Sequence, residues 1–384
     1  MSHLLKNYNR ASADFVSGKG VYLYDAKGNE YLDFLCGIAV TPFGHQHEGI
    51  TAAVSAQLQK LWHTSNLFSS QVQEHAAEML LNKAGLQHAF FCNSGTEANE
   101  AAIKFARKSK APRHKILAAW GGFHGRTYGS LSATGKESYW KDFGPLLPGI
   151  EFFNYGDISS VEKLMDSQTA AVIIEPIQGE NGIVPAPDGF LKQLRELCTK
   201  HDVLLILDEI QSGMGRTGKL FAHEHEQIQP DIITLAKGLA NGLPIGAVLL
   251  SEKVSGYIKP GDHGSTFGGN PVSLSAATAV LGLIADSVMA NNVKMGSMLL
   301  EELRFVHHPA IKEIRGKGLM CGVEFEENVP AGDVVKMLME QRVVTCTAGK
   351  NTVRILPPYI IGTKEIEQFM TAWKTVIGSI KEKE

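Results

Sequence analysis

Residues 204–211 read Leu-Leu-Ile-Leu-Asp-Glu-Ile-Gln, an apolar run that ends in two carboxylates and an amide. Consecutive apolar residues predict a strand that is buried on both faces, as in parallel sheets. The carboxyl ends of such strands form the edge where α/β proteins bind ligands, and a charge is costly to bury without a partner. Asp208 is therefore a candidate functional residue, although Asp208 and Glu209 could equally cap the following turn.

Around this run, short apolar segments alternate with helical patterns from about residue 75 onward. This alternation is typical of βαβ units and predicts an α/β fold with a mainly parallel sheet. The strands are predicted at 88–92, 115–119, 170–174, 203–207, 232–235 and 247–250, and helices at 96–108 and 190–200. A hairpin is predicted at 21–35. One long helical stretch over 271–305 precedes a final α/β unit.

Composition restricts the class of protein. The 384 residues include 37 basic and 40 acidic side chains, so the net charge of −3 gives no field that favours nucleic acid or a membrane surface. The five cysteines are scattered and form no CxxC pair, which favours a reducing compartment and no metal site. No run at the amino terminus or later matches a signal peptide or membrane span. We expect a cytoplasmic enzyme that acts on small molecules.

A second strand end carries a lysine. Residues 232–236 are followed by Lys237-Gly238, which places the amine at the same edge as Asp208. A lysine in an apolar site has a lowered pKa and attacks carbonyl carbons to form a Schiff base. Alone, such a lysine is more often a surface residue; beside Asp208, a chemical role explains it better.

Two glycine-containing turns complete the pattern. At 92–100 a strand passes through Ser-Gly-Thr into a helix, whose first N–H groups attract phosphate; Ser94 or Thr96 could also be an ordinary cap. At 121–127 the ring of Phe123 suits stacking and the guanidinium of Arg126 suits carboxylate binding. A surface ion pair is the alternative for Arg126.

Together these segments resemble the fold-type I pyridoxal-phosphate enzymes, and more narrowly the class III (ω) aminotransferases. The most specific run is residues 207–218, with Lys237 29 positions after Asp208. Further motifs stand at 94–99, 123–127, 175–180 and 265–270. The resemblance implies a seven-stranded-type sheet in a large cofactor-binding domain (47–285), a C-terminal small domain (286–384), and an N-terminal segment (1–46) that packs with the small domain.

The resemblance also implies a role for each matching residue. Lys237 would hold pyridoxal phosphate as a Schiff base and then act as the base that moves the substrate proton. Asp208 would keep the pyridine nitrogen protonated, so that the ring withdraws electrons. The other cofactor contacts would be Gln211 on the phenolic oxygen, Phe123 on the ring, Gly95 and Thr96 on the phosphate, and Thr266 from the second subunit of a homodimer.

Four residues are implied for substrate binding. Arg126 would grip the substrate carboxylate with Ser265 nearby, and Arg354 would bind the second carboxylate of 2-oxoglutarate or glutamate. Glu180 would pair with Arg354 when the amino donor is present and swing aside for glutamate. As a plain turn residue, Glu180 would need no such role.

The donor is indicated by residues 34–40, which are most similar to the branch of the family that acts on acetylated ornithine. Enzymes for free ornithine carry a tyrosine where this chain has Ile38, and an apolar side chain suits an acylated amine. The expected reaction moves the terminal amino group of N2-acetyl-L-ornithine to 2-oxoglutarate, in arginine biosynthesis. Ornithine, succinylornithine, succinyl-diaminopimelate and 4-aminobutyrate stay open as donors, as do decarboxylation and racemisation.

Two other classes of enzyme are less consistent with the sequence. Residues 213–218 satisfy the GxGxxG pattern of a nucleotide-dependent oxidoreductase, and Lys219 nearly completes a P-loop, but Leu220 stands where Ser or Thr would bind magnesium. The histidines of 45–47 and 223–226 could suggest a metal hydrolase, yet no convincing third ligand accompanies them.

Overall fold

A computed structural model of the chain describes residues 3–380. Its strands, in chain order, are β1 Phe15–Lys19, β2 Tyr22–Asp25, β3 Glu30–Asp33, β4 His88–Cys92, β5 Lys115–Ala119, β6 Ile150–Phe153, β7 Thr169–Ile174, β8 Ile177–Gln178, β9 Val184–Pro185, β10 Leu204–Asp208, β11 Ile232–Leu235, β12 Gly246–Leu250, β13 Ile311–Lys317, β14 Met320–Phe325, β15 Val343–Val344, β16 Cys346–Ala348 and β17 Thr352–Ile355.

The helices, in the same order, are α1 Glu48–Leu58, α2 Gln71–Ala84, α3 Gly95–Ser109, α4 Tyr128–Ala133, α5 Glu137–Trp140, α6 Ile158–Leu164, α7 Phe190–Lys200, α8 Glu252–Ser255, α9 Pro271–Leu283, α10 Asp286–Phe305, α11 Ala331–Glu340 and α12 Thr363–Ser379. Short 3₁₀ turns lie at Ala222–Glu226 and Lys237–Ala240. A separate turn at Cys36–Ala39 has left-handed backbone angles and is described with the site.

The central sheet has seven strands in the order β4-β12-β11-β10-β7-β5-β6. Only β12 runs against its neighbours, and the other strands are parallel to one another. The predicted α/β fold with a large, mainly parallel sheet is therefore confirmed. The predicted strands and the helices at 96–108 and 190–200 agree with the structure to within about a residue or two at each end.

Both faces of the central sheet are buried, which explains the uninterrupted apolar runs. In β10, Leu204 and Ile206 pack with α3 on one face, whereas Leu205 and Leu207 pack with α7 on the other. Because side chains alternate along a strand, every residue of β10 is enclosed. Polar groups can be tolerated only where the strand ends, and this is where Asp208 lies.

The two ends of the chain meet in a smaller sheet. Strands β1, β2 and β3 form an antiparallel set, as the hairpin prediction required, and β15 adds to β3 in parallel with Val343 opposite Leu32. A further sheet, β13-β14-β17-β16, lies in the C-terminal part. These pairings bring the N-terminal strands to the C-terminal unit, and the domain borders at 46 and 285 stay a prediction.

The single helical stretch predicted over 271–305 is wrong in one respect. The structure divides it into α9 and α10, which are bent by 75° at the break. Hydrogen bonds made by α10 set its direction: Asn291 Nδ2 donates to Tyr359 O, and Asn292 Nδ2 donates to Gly215 O. In residues 3–380, no single helix is long and apolar enough to cross a bilayer; this bent pair meets the length and composition test only jointly.

Candidate active site

The candidate site is a cavity of about 370 Å³ at the carboxyl edge of the central sheet. Strands β4, β5, β7, β10 and β11 all end there, which is where ligands bind in such sheets. The segments that follow these strands supply the wall, including Arg126, which was predicted for the substrate, and most of the residues predicted for a cofactor: Gly95, Thr96, Phe123, Asp208, Gln211 and Lys237. Two neighbouring strands thus deliver Asp208 and Lys237 to one cavity.

Asp208 is 3% exposed and is held by donors on both oxygens. Its Oδ2 accepts from Asn99 Nδ2 at 2.7 Å and lies 2.8 Å from His124 Nδ1, and its Oδ1 accepts from the Ile210 N–H at 3.1 Å. These contacts fix the position of the carboxylate, so Asp208 can stabilise a cationic group in the cavity.

Two residues that hold Asp208, Asn99 and His124, have roles that the sequence did not reveal. The Asn99 amide also donates to the His124 carbonyl at 2.8 Å and accepts from Thr234 Oγ1 at 2.8 Å. Because both the carbonyl and the carboxylate are acceptors, the orientation of the amide is determined. The presence of Asn99 in the 94–99 motif was the only available signal, since its partners are distant in sequence.

Lys237 lies just beyond β11 with a backbone φ of 43°. Left-handed angles cost a residue with a β-carbon free energy, and such strain is found at functional sites. Burial lowers the pKa of the Lys237 ammonium, against the opposing effect of the Glu180 carboxylate. Within residues 3–380 the Nζ atom makes no hydrogen bond or ion pair. Both conditions suit a neutral, nucleophilic amine.

The start of α3 forms a cradle for an anion. Ser94 caps the helix by accepting from the Glu97 N–H at 3.3 Å, so the N–H groups of Gly95 and Thr96 lie outside the internal helix pattern. A β-carbon on Gly95 would lie 2.8 Å from Ile210, so glycine allows this close approach. These N–H groups and the helix dipole suit a phosphate.

The hydroxyl of Thr96 is already in use. Thr127 Oγ1 donates to Glu100 at 2.5 Å, so in the 2.7 Å contact between Thr96 Oγ1 and Thr127 Oγ1 the Thr96 hydroxyl is the donor. The Thr127 N–H in turn donates to Thr96 Oγ1. Thr96 would therefore hold a phosphate through its backbone N–H.

Phe123 and Arg126 project from the loop after β5. The Phe123 N–H donates to Glu175 Oε2 at 3.2 Å, and burial, with the Asp208 carboxylate nearby, raises the pKa of Glu175 well above its usual value. Arg126 is exposed and lies over the ring of Tyr139, 3.8 Å from its centroid. It pairs with no carboxylate within residues 3–380, so its guanidinium can receive one from a ligand.

Glu180 and Arg354 lie outside the cavity wall and bind each other. Arg354 is 2% exposed, and its Nη1 donates to Glu180 Oε1 at 2.5 Å and to Gln211 Oε1 at 3.5 Å. Although burial raises the pKa of Glu180, Arg354 lowers it overall. Gln211 lines the cavity, so it connects this ion pair to the candidate site.

Ser265 and Thr266 lie apart from the cavity wall of their own chain. Asn93, which lines the cavity, donates through Nδ2 to Ser265 Oγ at 3.0 Å. Thr266 is exposed. The structure therefore brings Ser265 to the margin of the site and leaves Thr266 on the surface.

The turn at Cys36–Ala39 is unusual because its successive φ angles are all positive, from 52° at Cys36 to 68° at Ile38. Asp33 Oδ1 accepts the N–H groups of Leu35 and Cys36 and so anchors the entry to the turn. Ile38 is half-buried against a cluster that includes Ile177 and Ile183, while Val40 lines the cavity. Ile38 thus borders the segment that carries Glu180.

The segments behind the rival interpretations have structural roles. Residues 213–218 lead into a 3₁₀ turn, whereas a dinucleotide motif needs a strand before it and a long helix after it. His223 Nδ1 lies 2.9 Å from Glu209 Oε1, and His225 Nε2 lies 3.1 Å from Thr217 Oγ1. Glu209 also accepts the N–H groups of residues 222 and 223, so its buried carboxylate organises this loop.

Comparisons with known proteins agree with this geometry. The family model "Aminotransferase class-III" matches residues 5–377. An acetylornithine aminotransferase of Corynebacterium efficiens is 45% identical, over 98% of this chain and 95% of the relative, and one of Aquifex aeolicus is 44% identical, over 98% and 100%. The crystal structure of the ornithine aminotransferase from Toxoplasma gondii matches 98% of this chain and 93% of its own with a TM-score of 0.95 and 34% identity.

Proposed function

The chain belongs to the class-III aminotransferase family, and from this premise we propose that it transfers the terminal amino group of N2-acetyl-L-ornithine to 2-oxoglutarate. The products are N-acetylglutamate 5-semialdehyde and glutamate. Support for the donor comes from relatives named acetylornithine aminotransferase, which are 42–45% identical over nearly the whole chain. The observation that carries the chemistry is the delivery of Lys237 and Asp208 to one cavity.

The cofactor is pyridoxal 5′-phosphate, and the cavity fits its three functional parts. The free N–H groups at the start of α3 suit the phosphate, the Asp208 carboxylate suits a protonated ring nitrogen, and the Lys237 amine suits the aldehyde. When bound, the cofactor supplies a ring that withdraws electrons from the substrate carbon that loses its proton. Phe123 would stack on this ring, and Gln211 would bind its phenolic oxygen; both residues line the cavity.

Lys237 and Asp208 divide the work between them. The Lys237 amine would hold the cofactor through its aldehyde and would also act as the base that takes the proton from the substrate carbon. Asp208, fixed by Asn99 and His124, would stabilise a positive charge on the ring nitrogen. Both arginines would serve the acceptor: Arg126 would bind one carboxylate of 2-oxoglutarate, and Arg354 would bind the other after Glu180 has moved away.

The test of the donor is a half-reaction. Each of N-acetylornithine, ornithine, succinylornithine and 4-aminobutyrate is mixed with the purified holoenzyme, and the change in cofactor absorbance is followed in a stopped-flow instrument. We expect N-acetylornithine to react at least about tenfold faster than ornithine per unit concentration, since an uncompensated second ammonium near Ile38 costs about 1.4 kcal/mol or more.

Two variants at one position provide the controls for this test. Ile38→Tyr should raise the rate with ornithine relative to N-acetylornithine, because a hydroxyl can bind the free amine, whereas Ile38→Leu should leave the ratio unchanged. Ornithine reacting faster than N-acetylornithine in the unaltered enzyme would contradict the proposed donor. The transaminase assignment would survive that result.

Arg126→Ala should raise the KM for 2-oxoglutarate by about 10- to 100-fold, since a hydrogen bond between charged groups contributes roughly 1.5–3 kcal/mol. The turnover number at saturation should fall less, because the chemistry resides elsewhere. Initial rates over a range of 2-oxoglutarate concentrations measure both constants. Arg126→Lys keeps the charge but loses the paired donors, so its KM should lie between those of the unaltered enzyme and the alanine variant. An unchanged KM in the alanine variant would remove Arg126 from this role.

A homodimer is part of the proposal. Thr266 adjoins large exposed apolar side chains on two loops, Leu61, Trp62, Leu67, Phe68 and Phe267. Hydrogen bonds from Asn66 to Ser265 O and from Asn270 to Trp62 O join the loops to each other. Because such a patch marks an interaction surface and Ser265 adjoins the cavity through Asn93, a second copy here would bring its Thr266 to the phosphate.

The free cysteines suit a cytoplasmic enzyme.

A further inference from the structure

Cys346 is the cross-strand neighbour of Arg354. Strands β16 and β17 are antiparallel, and their register places Cys346 directly opposite Arg354, so the two side chains share one face of the sheet. Arg354 Nε donates to Cys346 Sγ at 3.3 Å. The other four cysteines of the chain are fully buried, whereas Cys346 is only partly so. The thiol is therefore a partly buried contact of an arginine that is itself almost fully buried.

The contacts of Arg354 differ in how long they can last during turnover. Nη1 donates to Glu180 Oε1, and Glu180 is 23% exposed on the loop between β8 and β9. An incoming carboxylate that displaces Glu180 takes over this contact. The contact from Nε to Cys346 lies on a different edge of the guanidinium and is fixed by the register of the sheet. It can therefore persist with either substrate.

The chemical nature of the thiol matters here. Burial raises the pKa of Cys346, against the effect of Arg354, so the group stays a neutral thiol near pH 7. A neutral sulfur is a weak acceptor that orients the guanidinium without cancelling its charge. An aspartate at this position would compete with the substrate for the same cation. The thiol keeps the full positive charge available for a ligand.

We propose that Cys346 is a positioning residue that holds Arg354 ready for the second carboxylate of the amino acceptor, and so favours dicarboxylates over substrates with a single carboxylate. The inference rests on the proposed function, because it takes a dicarboxylate as the second substrate. It assigns the role from the cross-strand register and the contact between Nε and Sγ. Cys346 itself need not touch the substrate.

The experiment measures ligand binding and kinetics in the holoenzyme. Calorimetry gives the Kd of glutarate, a dicarboxylate that cannot react, and initial rates give the KM for 2-oxoglutarate and for the amino donor. We expect Cys346→Ala to weaken glutarate binding and to raise the KM for 2-oxoglutarate by about three- to tenfold, the effect of losing one hydrogen bond. The KM for the donor should change by less than about twofold.

Matched variants separate orientation from packing. Cys346→Ser keeps an acceptor and should bind glutarate within about twofold of the unaltered enzyme, whereas Cys346→Val fills the space without an acceptor and should behave like the alanine variant. Thr347→Ala is the control, because Thr347 is exposed on the same strand and lies opposite Val353. Its constants should not change.

Three results would overturn the inference. Glutarate binding that is unaffected by Cys346→Ala would remove the role, and an equal rise in both KM values would show a general disturbance. If the valine variant bound glutarate as tightly as the unaltered enzyme and the serine variant did not, the role of Cys346 would be packing. If the unaltered holoenzyme fails to bind glutarate, the proposed acceptor is wrong and the inference falls with it, which distinguishes the two failures.

Discussion

Lys237→Ala should lower the turnover number by at least about 10⁴-fold, because one amine both carries the cofactor and moves the proton, and general acid–base catalysis alone contributes up to about that factor. Burial lowers the pKa of Lys237, which favours the neutral amine. No other lysine lines the cavity wall within the described chain. Single-turnover measurements with the donor determine the loss.

A chemical trap locates the cofactor directly. Treatment of the unaltered enzyme with borohydride should add the mass of the reduced cofactor to the peptide that contains Lys237, and the alanine variant should show no such addition. Lys219, an exposed lysine of a nearby loop, provides the matched control; Lys219→Ala should retain both the label and the activity. Turnover within about tenfold of normal in the Lys237 variant would reject the assignment.

Misfolding would not explain a loss of activity in this variant. Lys237 has a φ of 43°, and alanine meets the same left-handed strain as any residue with a β-carbon. The side chain makes no hydrogen bond or ion pair within residues 3–380 that the substitution could remove. We therefore expect nearly unchanged thermal unfolding of the enzyme without cofactor, measured alongside the kinetics.

Asp208→Asn should lower the turnover number by roughly 10²- to 10³-fold, the usual effect of removing a preorganised electrostatic contact. The amide has nearly the same shape, yet its NH₂ group faces an existing donor in either orientation: Asn99 and His124 on one side, or the Ile210 N–H on the other. The ring nitrogen would also lose the anion that keeps it protonated. The substitution therefore removes a charge and disturbs its supports.

The measurement that isolates this charge is a pH titration of the bound cofactor's absorbance, together with the turnover number. We expect the Asp208→Asn variant to lose the protonated ring at lower pH than the unaltered enzyme. Glu209→Gln is the control, because it removes a neighbouring buried carboxylate that contacts the His223 ring and accepts the backbone N–H groups of residues 222 and 223. This control should lower the unfolding temperature and leave the pH at which the cofactor titrates unchanged. Equal shifts of that pH in both variants would contradict a specific role for Asp208.

Much of the site was predictable because it lies at the ends of strands. Apolar runs that are enclosed on both faces identify the strands, and a carboxylate or an amine at the end of such a run is costly to bury unless a partner or a ligand compensates its charge. Asp208 and Lys237 follow from that rule. The motif at 94–99 predicts the anion cradle at the start of α3 for the same reason, since a helix that follows a buried strand begins at the same edge.

The supports of Asp208 could not be derived in this way. Asn99 and His124 reach it across 109 and 84 positions of the sequence, and no local periodicity encodes a contact between side chains so far apart. The use of the Thr96 hydroxyl depends likewise on Thr127 and Glu100. Such details depend on tertiary geometry.

Backbone strain was equally invisible in the sequence. The left-handed turn at Cys36–Ala39 contains an isoleucine at a φ of 68°, which local propensity disfavours. The break between α9 and α10 falls in an apolar stretch without a proline at that point, and the direction of α10 is set by contacts with other segments. In both places tertiary contacts override the local preference.

The small sheet that joins both ends of the chain has a consequence for biosynthesis. Tyr22 donates to Gln368 across 346 positions, and β3 pairs with β15, so the first strands leave the ribosome long before their partners exist. Until then the edge of β3 is an unpaired backbone surface that can join other chains. A product truncated before Val343 would keep that edge unpaired.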